Sequence, residues 1–154
     1  MPKKIVETAH LIERVKENPE NYPICLNMAC GKRERCLHAL ETTDERMKCV
    51  IVTCVNPLTC GGEDGCPEFR DRDARAQYAF GMKKIARMMK SHGVYQAFVR
   101  RCLCHFCRTV FYDMHAGHRI IYPHEQLVIL GCATALGVQL PADSFDQMVE
   151  TVAW

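Results

Sequence analysis

At 154 residues, with 48% hydrophobic and 25% charged content, the chain has the size and make-up of one soluble globular domain. A chain of this length buries about two thirds of its unfolded surface, so its eleven cysteines are not explained as staples for a small core, and the odd count excludes a fully paired disulfide framework. Net charge is only +2, and no run of apolar residues is long enough to span a membrane.

The N-terminus breaks its apolar run with Glu7, His10, Glu13 and Arg14, which is not the pattern of a signal peptide. Residues 3–17 are expected to form a first helix with Ile5, Ala9, Ile12 and Val15 on one face. A cysteine-bearing loop, 19–35, leads into a short helical turn around "ERCLHAL". "KCVIVTC" (48–54), rich in β-branched residues, predicts a strand, and "VNPLTCGGEDGCPEF" predicts turns. From Asp73 to Lys90 the spacing of Tyr78, Met82, Ile85 and Met89 predicts a helix, and Gly93 separates it from another at 94–106.

"RTVFYDMHAGHRIIY" predicts a hairpin over 108–122 that turns at Ala116-Gly117. Pro123 opens an apolar helix with Gly137 as its C-cap. "SFDQ" (144–147) predicts a capping box for a last helix. The expected architecture is α+β, helix-dominant, in a single domain 1–154. Within it, 1–70 is a cysteine-rich loop region and 71–154 a helical region around the short β-hairpin.

Cysteines divide by context. Cys132 lies in an all-apolar helix and is expected to be core, as are Cys49 and Cys54, which flank the predicted strand. "CHFC" (104–107) falls near a helix C-terminus, where the dipole does not favour a thiolate; a redox or second metal role there is a minor alternative. Cys25, Cys30, Cys36, Cys60 and Cys66 sit in polar, turn-rich chain. Closely spaced thiols in a reduced, cytoplasmic protein point to metal or redox chemistry. Four thiolates are a standard zinc set; a [4Fe-4S] cluster is the alternative, with Cys66-Pro67 as a slight hint. The segments "CLNMACGKRERC" and "CVNPLTCGGEDGC" echo one another as two ligand loops.

The series "YPICLNMACGKRERCLHAL", "VNP", "CPEFR", "YAFGM", "HFCRTVFYDMHAGHRIIYPHEQ" and "FDQMVETVAW" resembles an uncharacterised family of small cysteine-containing proteins from anaerobic bacteria, a domain of unknown function. The resemblance runs over roughly 20–154. It implies Cys25, Cys30, Cys36 and Cys66 as the ligand quartet rather than a set using Cys60. Its members tend to carry glycine at position 107, which argues against "CHFC". It implies no activity.

Charge is unevenly spread: residues 81–124 carry +7 and 125–154 carry −4. The basic block includes Lys83, Lys84, Arg87, Arg100 and Arg101, a candidate surface for an acidic protein or nucleic-acid partner. No HExxH, GxSxG, phosphate loop or Gly-rich dinucleotide turn is present. "HAGH" (115–118) reads as a turn flanked by solvated histidines, and His124-Glu125 as charge complementing a helix dipole. An enzyme is therefore the least supported class. The sequence favours a metal-stabilised binding or regulatory module, with an iron–sulfur redox or sensor protein as the alternative.

Overall fold

A computed structural model describes residues 10–13, 16, 22–39, 48, 51–56, 58, 60 and 65–153. The chain divides into two compact units. One comprises residues 1–16 and 76–151, the other 17–75 and 152–154.

In the first unit, residues 10–13 and 16 are helical, in keeping with the first predicted helix; the rest of that segment lies outside the described residues. Strand β1 (Arg75–Phe80) begins where a helix from Asp73 is expected. The apolar spacing used for that expectation is shared between β1, which carries Tyr78, and helix α1 (Lys83–Ser91), which carries Ile85 and Met89. Gly81, at φ +73°, makes the break between them. Helices α2 (Tyr95–Cys102) and α4 (Pro123–Thr134) form close to their predicted places. Between them, α3 (Arg108–Ala116) replaces the predicted hairpin.

That correction has a physical reason. Phe111 and Met114 are three residues apart and both fully buried, so the segment presents a helical face to the core. Gly117 does turn the chain, but as a left-handed helix end: the His118 N–H donates to the Asp113 carbonyl at 2.9 Å. Gly137 ends α4 in the same way, with the Val138 N–H on the Ala133 carbonyl.

Strand β2 (Gln147–Val152) stands where a last helix is expected. It pairs with β1 in a two-stranded antiparallel sheet, bracketed by hydrogen bonds from Asp146 N–H to the Gly81 carbonyl and from Ala153 N–H to the Ala74 carbonyl. Ile121 pairs with Ala79. The fold class is thus α+β and helix-dominant, but its sheet joins distant segments.

The core of this unit packs α2 against α1 and α4. Phe98, Phe111, Phe145, Met82, Met89 and Ile129 are all buried in it; truncating either Phe98 or Phe111 to Ala would cost about 3–5 kcal/mol. Gln126 donates from Nε2 to the carbonyls of Gln77 (2.7 Å) and Ile121 (2.9 Å), the second of them a buried acceptor. Glu125 accepts from the Tyr122 N–H and pairs with Arg119, so it caps α4 as well as complementing its dipole. A smaller cluster joins Tyr78 and Phe80 to Leu11 and Ile12. Among the described residues, no helix is long and apolar enough to cross a membrane.

The second unit is built from loops, a 3-10 turn at Arg33–Arg35 and isolated bridges. The strand expected at 48–54 does not form over the described residues. Ile51 is 88% exposed, and only Cys54 makes a bridge, to Ile24. The buried residue is Val55, just beyond the predicted run.

Candidate metal centre

The second unit folds by crossing its loops. The Cys25 N–H donates to the His38 carbonyl at 2.6 Å, and the Ile24 N–H to the Thr53 carbonyl at 2.9 Å. The segment bearing Cys25 is thereby held between residues 38–39 and 53–55. Cys36 bridges Asp71. Around it, the Leu37 N–H donates to the Arg70 carbonyl and the Arg72 N–H to the Arg35 carbonyl, each at 2.8 Å. The Arg72 side chain reaches the carbonyls of Cys36 and Ala39, and Arg35 pairs with Asp71. The Asp73 N–H, more than the Arg35 guanidinium, holds the Asp71 carboxyl below the usual carboxylate range. Charge-assisted bonds thus fix the segment that carries Cys36.

These crossings form a cleft of about 410 Å³, counting the space open to solvent. Cys25, Cys30, Cys36 and Cys66, the four thiols expected as ligands, all line it, and so do Cys60 and His38. Cys36 and Cys60 are buried; Cys25, Cys30 and Cys66 are half-buried. Burial, and next the hydrogen bond with Cys60, push the Cys66 thiol up, while the Glu68 N–H acts in the opposite direction. Lys32 lies over the ring of Phe69, another wall residue, at 5.3 Å.

The donor chemistry fits a soft cation: several thiols and one imidazole on polar loops are what zinc or an iron–sulfur cluster takes. Among the described residues, however, no three His, Cys, Asp or Glu side chains already converge as a metal site. Binding would have to draw the sulfurs together, coupling occupancy to the folding of these loops.

A family model described as a family of unknown function (DUF6078) matches residues 7–154. The chain belongs to this family. No curated protein and no solved structure matches it.

The remaining cysteines of this DUF6078 member sort differently from expectation in one case. Cys54 is exposed rather than core, because the strand expected to bury it does not form over the described residues; Cys49 lies outside them. Cys132 is core, 5% exposed, and shares the buried cluster with Cys102 of α2. Burial pushes both of these thiols up. Cys104 and Cys107 are exposed, beyond the end of α2. Among the described residues no disulfide forms.

In the first unit, Lys83, Lys84, Arg87, Arg100 and Arg101 are all exposed on α1 and α2. Tyr95 is half-buried beneath Lys90, whose Nζ lies 5.0 Å from the ring centre. His115 was expected in a solvated turn. It lies instead in the last turn of α3, with Nε2 buried and unpartnered among the described residues.

Sequence reasoning missed His38 altogether and set Cys60 aside. The signal for His38 was its place two residues after Cys36, inside the first ligand loop.

Proposed function

We propose that the 17–75 unit is a thiolate metal centre that stabilises a small cytoplasmic binding or regulatory module. Zinc is the expected metal and Cys25, Cys30, Cys36 and Cys66 are its candidate ligands. One observation carries the reading: these four cysteines, from chain segments up to 41 residues apart, line the same cleft. A structural metal would supply the cohesion that this unit, with its isolated bridges and short 3-10 turn, does not draw from regular secondary structure. A [4Fe-4S] cluster would use the same thiols.

The test is metal content after purification without oxygen. Zinc close to one equivalent supports the reading; iron with acid-labile sulfide and visible colour favours the cluster. Protein that holds neither metal refutes it. The exposed basic residues of α1 and α2 would then be the working surface of the module, offered to an acidic protein or nucleic acid.

A further inference from the structure

Among the described residues lining the thiol cleft, His38 is the only imidazole, and it is 4% exposed. Its Nδ1 lies 2.7 Å from the Pro23 carbonyl oxygen. A carbonyl can only accept, so Nδ1 carries the proton and Nε2 keeps an in-plane lone pair. The Tyr22 hydroxyl is 3.5 Å from Nε2. The two rings are stacked, however, with centroids 4.5 Å apart and planes only 8° from parallel. A hydroxyl on a parallel ring lies over the face of the imidazole, whereas the lone pair points along its plane. The contact is too long and too far out of plane to use up that lone pair.

An imidazole that donates one N–H to a backbone carbonyl and keeps a lone pair on the other nitrogen is oriented as metal-bound histidines are. The Tyr22 ring fixes the plane further. Two thiol-bearing segments also fix its position: Cys36 lies two residues before it, and the Cys25 N–H holds its carbonyl.

We propose that His38 Nε2 is a ligand of the metal in this cleft, so that the centre is a mixed nitrogen–thiolate site. The inference rests on the metal reading above and goes beyond it. A tetrahedral ion then needs three thiolates, which the five cysteines of the cleft supply with two to spare. Cys36, two residues before His38 in the chain, and two of Cys25, Cys30 and Cys66 would complete the set. A nitrogen donor also shifts the preference towards zinc over an all-cysteine cluster.

X-ray absorption at the zinc edge tests this on the full chain loaded with one equivalent of zinc. The expected result is one nitrogen at about 2.0–2.1 Å with imidazole scattering, three sulfurs at about 2.3 Å, and loss of the nitrogen shell in His38→Gln. Four sulfurs with no nitrogen, or an iron–sulfur cluster held by cysteine alone, overturns the inference while leaving a thiolate centre in place. Failure to bind any metal removes both. Should His38→Gln not fold, the wild-type spectrum alone decides.

Discussion

Asp146 occupies the space that any side chain at Gly81 would need. A Cβ at Gly81 would run into the Asp146 carboxylate at Oδ2. That carboxylate accepts hydrogen bonds from the Lys83 and Lys84 N–H groups, at 2.9 and 2.8 Å, and so caps α1 from 62 residues away. Met82, the residue before α1, makes no side-chain cap of its own. Asp146→Ala should therefore cost about 1–2 kcal/mol, the usual loss for an N-cap. Gly81→Ala should cost more, since it adds about 1–2 kcal/mol of left-handed backbone strain to the displaced cap. Denaturant melts of both variants check the order; equal stability of wild type and Gly81→Ala would refute it.

Stability should fall as the solution is acidified through the histidine range. Burial holds the His115 pKa below its ordinary value, with Lys83 and Lys90 acting in the same direction and Asp146 against it. The unfolded chain then binds a proton that the folded chain resists. The contribution is fully present above the unfolded value of about 6.5 and is lost as pH drops below it. Urea midpoints at pH 7.5 and 5.5 measure the effect, and His115→Gln should make the loss shallower.

Thiol reactivity should follow burial. Exposed Cys54, Cys104 and Cys107 should alkylate quickly in the native protein. Cys102 and Cys132 should react only after unfolding, because both are buried and their thiols are pushed up. Mass spectrometry of peptides after a short iodoacetamide pulse reads this directly. Rapid native labelling of Cys132 would contradict the packing of α2 on α4.

Cys36→Ser should release the metal and lower the melting temperature, since metal held only by the folded form is folding free energy. A chelator should lower the wild-type melting temperature and leave that of Cys36→Ser unmoved. An unchanged wild type would mean that no metal supports the fold.

If α1 and α2 present a nucleic-acid surface, affinity should fall steeply with salt. Replacing Lys83, Lys84, Arg100 and Arg101 with Ala should flatten that slope. These side chains are exposed, so each change should alter folding by no more than about 0.5 kcal/mol. Absence of RNA or DNA binding at low salt leaves a partner protein as the alternative.

Local punctuation made α4 legible, because Pro123 and Gly137 mark its ends without reference to anything distant. The segment 108–116 misled because Thr109, Val110, Phe111 and Tyr112 are strand-prone residues; burial of Phe111 and Met114 on one helical face decided otherwise. The β1–β2 pairing was invisible because no local pattern encodes a partner so far away. "SFDQ" carries a capping residue, but Asp146 caps α1 rather than a helix of its own. In the candidate site, polarity around the cysteines showed which thiols share a cleft. His38 escaped notice because its meaning lies in the Pro23 carbonyl and the Tyr22 ring, neither of which sequence spacing connects to it.

The sheet also sets a timetable. Gln147, where β2 begins, follows Phe80, the end of β1, by 67 residues. At about 5–20 residues per second, roughly 3–14 s of synthesis separate the two strands. Throughout that interval β1 has no strand partner and α1 lacks its Asp146 cap. A nascent chain stalled before residue 146 should therefore be cut by protease near Tyr78, and one long enough to release β2 from the ribosome should be protected there. The last strand works as a latch, and the helical unit can close only after it emerges.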